Sequence, residues 1–224
     1  MAAVSRELDA ELLATRIAQA RERIDAAASV AGRRGGDVEL LFAGKHVAVA
    51  KLGKLADAGV TLIGENRAQD LEAKVAAWGE RFTWDFIGQL QSRKVKVIVP
   101  HVRLIHSLAS ESAARALARE VERARHGIAA LIEVNVAGEE GKGGVLPEAI
   151  DSLIEACPIP VRGLMTMPPA TEHPERNRRW FAALRQLAEA RGLPTLSMGT
   201  SQDYAVAVEE GATIVRLGRG LLHE

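Results

Sequence analysis

Near its start the chain carries Leu8, Leu12, Ile17, Ala20, Ile24 and Ala28 at roughly helical spacing, with Arg and Glu between them. That period predicts an amphipathic helix over residues 5–31, ended by Gly32, Gly35 and Gly36. A steady alternation follows. Short apolar runs at 38–43, 61–63, 82–87, 104–107, 128–136, 161–165, 195–198 and 213–217 read as strands. Helical patterns at 48–58, 67–78, 91–99, 111–125, 147–156, 174–191 and 202–210 separate them. Pro100 marks the stop of the third, and Pro147 sits in the first turn of the fifth.

Strand-then-helix units in strict alternation argue for a parallel sheet covered by helices. There are eight, the last without room for a full helix, and in about this length they fit a (β/α)8 barrel. The rival is an open doubly wound sheet. It usually carries a Gly-x-Gly-x-x-Gly turn after its first strand, which is absent here. The expectation is one α/β domain over 1–224, a TIM-type barrel with a short or missing last helix. Residues 1–36 supply an extra N-terminal helix packing on the barrel, where the missing helix would have lain.

Composition narrows the function classes. The chain has 224 residues, 47% hydrophobic and 26% charged, ordinary values for a soluble globular protein. Collagen-like, disordered and coiled-coil readings fall away. Lys plus Arg and Asp plus Glu number 29 each. This balance removes the electrostatic argument for nucleic acid or an anionic membrane as the main partner. The balance, with no obvious exposed apolar stripe, favours a monomer. The one cysteine, Cys157, has no internal disulfide partner and reads as a small buried hydrophobe. His46, His101, His106, His126, His173 and His223 show no metal spacing. Residues 1–10 carry Arg6, Glu7 and Asp9 and no long apolar run, unlike a secretory signal. The other apolar runs stop short of the ~18 residues of a membrane span. The expected compartment is the cytoplasm.

In such barrels, functional residues lie at the C-terminal ends of the strands and in the loops that follow. Lys45 ends the first strand. A desolvated lysine there is an amine nucleophile able to form a Schiff base with a carbonyl; alternatively, it simply starts a solvated loop. After strand seven, residues 197–201 (Ser-Met-Gly-Thr-Ser) lead into a helix, whose N-terminus suits a phosphate. The alternative is an ordinary cap made by Ser201. After strand eight, Gly218 and Gly220 flank Arg219, and phosphate sites in these barrels are frequently built from the loops after strands seven and eight together. Arg216 lies within the eighth strand. Burying it unpaired is expensive, so it should meet a phosphate, a ring nitrogen or a carboxylate. Asn66 and Asn135 end strands, as plain turn formers often do. Residues 141–144 (Gly-Lys-Gly-Gly) form a flexible loop at the same face. Trp78, Trp84 and Trp180 read as packing residues. A Schiff-base lysine beside a phosphate cradle suggests a phosphorylated aldehyde, either pyridoxal phosphate or an aldolase's sugar phosphate.

At these residues the sequence resembles the pyridoxal-phosphate homeostasis proteins, whose fold is similar to the N-terminal barrel of bacterial alanine racemase. The likeness spans about residues 38–218. It is carried by Leu40-Leu41-Phe42-Ala43-Gly44-Lys45, Gly64-Glu65-Asn66-Arg67, and Phe86-Ile87-Gly88-Gln89-Leu90-Gln91-Ser92 with Lys94. Ile105-His106-Ser107, Glu133-Val134-Asn135-Val136 and Arg162-Gly163-Leu164-Met165-Thr166-Met167 continue it. Leu196-Ser197-Met198-Gly199 with Ser201 and Asp203, and Val215-Arg216-Leu217-Gly218, complete it. Each is weak alone; eight in order at predicted strand ends are specific.

The resemblance implies that Lys45 holds pyridoxal 5'-phosphate as an internal aldimine. Ser197, Gly199 and Ser201 would surround the phosphate with Gly218 and Arg219, and Asn66 and Met198 would also belong to the cofactor site. Arg216 would contact the cofactor at its pyridine nitrogen or phosphate. An arginine at the nitrogen would keep it unprotonated and make the ring a poorer electron sink. The family usually has serine before the lysine and threonine after it, where this chain has Gly44 and His46. Arg219 replaces the usual threonine or serine, and Leu222-His223 the usual phenylalanine-glycine close. Gln89 and Arg93 also depart from the commonest residues.

Alanine racemase sets a lysine and a second-domain tyrosine on opposite faces of the cofactor. This chain has one tyrosine, Tyr204, in the helix expected after strand seven. The expectation is therefore a non-enzymatic role in vitamin B6 homeostasis, buffering the cofactor or delivering it to dependent apoenzymes. The alternatives are a class III racemase, a Schiff-base aldolase on a phosphorylated substrate, or a regulatory partner of other proteins.

Overall fold

A computed structural model describes residues 8–122 and 127–222. The strands are β1 (Glu39–Ala43), β2 (Leu62–Glu65), β3 (Thr83–Phe86), β4 (Leu104–Leu108), β5 (Ala129–Glu133), β6 (Val161–Met165), β7 (Thr195–Thr200) and β8 (Ile214–Leu217). They pair in parallel in sequence order, and β1 closes on β8 with Phe42 opposite Leu217. The barrel expectation holds. The helices are α1 (Ala10–Val30), α2 (Leu52–Asp57), α3 (Ala68–Trp78), α4 (Val95–Ile98), α5 (Glu111–Val121), α6 (Ile150–Ala156), α7 (Arg178–Glu189), α8 (Tyr204–Glu209) and α9 (Arg219–Leu222).

Alternation along the strands splits the interior into two apolar bodies. Leu41, Leu62, Leu104, Ala129, Leu131, Met165 and Ile214 fill the barrel. A larger layer, including Phe42, Ile63, Phe86, Phe181 and Val215, lies between barrel and helices. Leu41 needs a glycine across from it: a Cβ on Gly64 would lie 2.4 Å from Leu41 Cδ2. Such pairing of large with small fills the barrel without strain.

Helix α1 starts where Asp9 Oδ1 accepts from the N–H groups of Glu11 and Leu12, an N-cap. Gly32 follows its C-terminus with φ +67°. It buries Leu13, Ala20, Ile24, Ala27 and Ala28 and packs against α2, α8 and α9. Arg16 donates to the Leu221 carbonyl, and just past the helix Arg33 donates to those of Val208 and Ala212.

Several expected helices are shorter than their patterns. Residues 91–99 form a 3₁₀ turn at Ser92–Lys94 and then the one-turn α4, and Pro100 sits inside another 3₁₀ turn, Val99–His101, instead of ending a long helix. Patterns at 48–58, 147–156 and 174–191 likewise begin as 3₁₀ turns. Residues 5–7 and 123–125 of two expected helices, with His126 and His223, lie outside the described residues. Cys157 is half-buried, and burial raises its thiol pKa. Trp84 is buried and donates to the Gly79 carbonyl, while Arg179 lies over the Trp180 ring at 4.4 Å. Among the described residues no helix is long and apolar enough to cross a membrane. Nor does any group of three His, Cys, Asp or Glu converge as metal ligands.

Candidate functional site

Strand β1 ends at Ala43, and Lys45 lies in the 3₁₀ turn Gly44–His46 that follows. Its side chain is exposed, with no hydrogen bond or ion pair to the described residues. The turn beneath is tightly held. Lys74 of α3 is buried and donates to the Gly44 carbonyl at 2.9 Å and to Glu65 Oε1 at 2.5 Å. Glu65, at the end of β2, is fully buried, and its Oε2 has no hydrogen-bond partner among the described residues. Burial raises its pKa, and Lys74 opposes the rise. Gly44 has a steric reason here, since a Cβ would lie 2.4 Å from Glu65 Oε1.

The loop after β7 meets the loop after β8. Gly199 has φ +89°, and a Cβ there would lie 2.6 Å from Ala207 Cβ and 2.9 Å from Tyr204 Cα. The β7–β8 register shifts between Ser197 and Thr200. Beyond that shift, Ser201 Oγ accepts from the N–H groups of Gly218 (3.4 Å) and Gly220 (3.2 Å). Ser201 therefore does not cap α8, as one reading expected. Asp203 precedes that helix, and its Oδ1 takes the Thr200 N–H at 2.7 Å. Gly218 lies against β1: a Cβ would sit 3.1 Å from Ala43 Cβ. The lysine turn and the glycine junction thus share one edge of the barrel mouth. Arg219 is exposed at the start of α9, with no ion pair to the described residues. Asn66 is half-buried just past β2, and its side-chain amide makes no hydrogen bond to them.

Ser197 and Met198 do not join this junction. Met198 faces outward into the layer between barrel and helices. Ser197 points inward, where its Oγ is 2.6 Å from Arg216 Nη1 and 2.9 Å from His106 Nδ1. Arg216 also donates to the carbonyls of Ser197 and Thr166, both at 2.8 Å, and to Met167 Sδ at 2.9 Å. Of the three partners the sequence allowed, a carboxylate makes no direct bond to Arg216 among the described residues; carbonyls, a hydroxyl and a thioether stand there instead. Burial pushes the Arg216 guanidinium down to about 10, with Asp203 and Glu133 opposing. Burial also raises Glu133, opposed by Arg216 and Lys142.

Sequence reasoning missed Glu65 as a partner of Lys74, and Asp85 and His106 as interior groups. Asp85 is fully buried between Trp84 and Phe86. A carboxylate inside an apolar strand pattern was the available signal. The loop at 141–144 is pinned where the sequence suggested flexibility. Asn135 exchanges two hydrogen bonds with the Glu139 backbone, Lys142 pairs with Glu139, and Val145 bridges Val134. Tyr204 is buried in the layer between barrel and helices, beside a cavity lined by Arg16, Gln19 and Arg23 of α1.

Comparison with known proteins places this geometry. Residues 41–223 match the family described as alanine racemase, N-terminal domain. A pyridoxal phosphate homeostasis protein of Aquifex aeolicus is 41% identical over 220 residues, covering 93% of this chain and 96% of that protein. A crystal structure of an unknown protein from Bifidobacterium adolescentis superposes with TM-score 0.86 at 32% identity, covering 95% of each chain. PipY of Synechococcus elongatus, in a structure with PLP bound, has TM-score 0.78 at 27% identity, covering 94% of this chain and 100% of that one. The chain belongs to the alanine racemase N-terminal domain family and, within it, to the pyridoxal phosphate homeostasis proteins.

Proposed function

We propose that the protein binds pyridoxal 5'-phosphate reversibly through Lys45 and acts in vitamin B6 homeostasis, buffering the cofactor or delivering it to dependent apoenzymes without turnover of its own. The observation that carries this is the exposed Lys45 amine, unpaired among the described residues, on a pinned turn beside the junction of Ser201, Gly218 and Gly220. The residues present fit the group: an amine, a glycine-lined loop edge, the half-buried Asn66 amide and the Arg216 guanidinium stand at the ends of β1, β2, β7 and β8. Bound, the cofactor supplies an aldehyde that condenses reversibly with an amine, releasing one water. Lys45 supplies that amine. Gly199, Ser201, Gly218 and Arg219 hold the phosphate, Asn66 lines the site, and Arg216 meets the ring. Ser197 and Met198 act at one remove, Ser197 through Arg216 and Met198 by packing behind β7.

The buried Tyr204 supports a carrier over a racemase, since no second base faces Lys45 among the described tyrosines. The relatives' names are those of homeostasis proteins, not of enzymes. This reading takes the chain as one domain and as a cytoplasmic monomer. The test is the visible spectrum of the protein with added pyridoxal phosphate, before and after borohydride. An absorbing linkage that borohydride fixes on the Lys45 peptide, absent in Lys45→Ala, is expected. No linkage in the wild type overturns the reading. Release of an amino acid's α-proton into deuterated solvent overturns its non-catalytic part.

A further inference from the structure

We propose that Asp85, His106 and Ser197 form a positioning relay inside the barrel that holds Arg216 in one orientation for the ring of the bound ligand. The identity of that ligand rests on the reading above; the relay does not. Its members come from β3, β4 and β7 and meet on β8. Arg216 Nη1 lies 2.6 Å from Ser197 Oγ, Ser197 Oγ 2.9 Å from His106 Nδ1, and His106 Nε2 3.1 Å from Asp85 Oδ2. Asp85, His106 and Ser197 are essentially inaccessible to solvent.

The donor inventory allows one proton arrangement. Arginine only donates, so Ser197 Oγ accepts from it. The hydroxyl keeps a second lone pair, so the far side of the ring decides: with the Asp85 carboxylate at Nε2, the proton of a neutral imidazole sits on Nε2, and the bare Nδ1 takes the serine proton. The opposite tautomer sets a lone pair against that carboxylate. A doubly protonated ring leaves the serine proton without its acceptor. The groups facing His106 agree with a neutral ring: burial lowers its pKa, Arg216 and Arg103 add to this, and Asp85 opposes.

Both ends of the chain are anchored. Arg103 donates to Asp85 Oδ1 at 3.0 Å and Oδ2 at 3.2 Å, and it pairs with Glu39 at 2.6 Å on the partly exposed far end of the barrel. At the other end, the four Nη protons of Arg216 have the Ser197 carbonyl, Ser197 Oγ, the Thr166 carbonyl and Met167 Sδ as acceptors. The guanidinium cannot turn without breaking several of these bonds. Prior ordering of a recognition group strengthens binding by removing its cost at the moment of association.

The test begins without cofactor. In the ¹⁵N spectrum of labelled histidine, His106 is expected as the Nε2–H tautomer, unchanged from about pH 5 to 8, where a free histidine titrates. In labelled arginine, the Arg216 guanidinium should show separate, slowly averaging Nη protons in the wild type. Ser197→Ala should average them, and Ser197→Thr should restore them. An Nδ1–H tautomer, a His106 titration in that range, or Nη protons unchanged in Ser197→Ala overturns the relay whether or not pyridoxal phosphate binds. With pyridoxal phosphate, Ser197→Ala should bind about tenfold more weakly. The pH midpoint of its lysine-linkage absorbance should also move, with Ser197→Thr recovering both. Binding within about twofold and an unmoved pH profile would reduce the network to filling the barrel.

Discussion

Replacing Lys74 by methionine isolates the buried pair beneath the Lys45 turn. Lys74 Nζ has two partners, Glu65 Oε1 at 2.5 Å and the Gly44 carbonyl at 2.9 Å. Methionine keeps most of the stem volume and removes both bonds. Glu65 is then left fully buried with neither oxygen paired to a side chain, since Oε2 already lacks a partner among the described residues. Removing one member of a buried ion pair costs about 3–5 kcal/mol. For a chain of this size each kcal/mol moves the melting temperature by about 2–4 °C, so the expected drop is roughly 6–20 °C. The double variant Lys74→Met/Glu65→Leu deletes both charges and should recover most of that loss, because a buried pair and an apolar replacement are often nearly equivalent. Circular-dichroism melts of the wild type, both singles and the double complete the cycle.

The pH dependence has a definite sign. Glu65 is already raised above 4.5 by burial, and Lys74 restrains the rise. Without Lys74 the carboxyl rises further, and the folded state binds a proton more tightly than the unfolded chain. Stability then falls as pH increases through the window between the unfolded and folded values. The Lys74→Met deficit should therefore be full above the raised value and shrink as pH falls toward 4.5. A single variant that melts within about 3 °C of wild type, or a double variant no better than the single, refutes the reasoning.

Two further predictions test the frame around the site. Gly88→Ala would place a Cβ 2.0 Å from the Asn66 carbonyl oxygen; backbone must move, costing about 1–3 kcal/mol, and thermal melts should show it along with weakened pyridoxal phosphate absorbance. Deleting residues 1–31 removes the buried Leu13 and Ile24 of α1, each contributing about 1.5–3 kcal/mol; an unchanged melting temperature would show that this helix is not part of the barrel's fold.

The barrel was legible in the sequence because its signal is repeated. Each strand, such as residues 104–107 or 128–136, is an apolar run followed by a helical pattern, and errors in single boundaries leave the count of eight intact. Helix lengths were less legible. The pattern at 91–99 has helical spacing, yet only its four residues in α4 are α-helical and 3₁₀ turns flank them, because docking to the barrel overrides local preference. At the candidate site, positions along the chain were readable and side-chain directions less so. Lys45, Asn66, Ser201 and Gly218 were placed at strand ends, where the structure has them. Ser197 and Met198 are neighbours in one motif, but pleating sends them to opposite faces of β7.

That alternation also explains why the interior relay was hidden. A strand buried on both faces reads as one apolar run, so a single Asp85 or His106 within it looks like noise. Only closure of the barrel brings Asp85, His106, Ser197 and Arg216 within hydrogen-bond distance, from positions up to 131 residues apart in number, Asp85 to Arg216. The two buried lysine and arginine sites then divide the work. Lys74, paired with a carboxylate, fixes backbone and leaves Lys45 exposed to react. Arg216, held by neutral acceptors, keeps its charge unspent by any direct carboxylate. The pair beneath Lys45 should thus govern stability, and the relay beneath Arg216 should govern recognition. Double variants combining Lys74→Met with Ser197→Ala separate the two: additive melting losses with the binding defect confined to Ser197→Ala support the division, and strong coupling between them contradicts it.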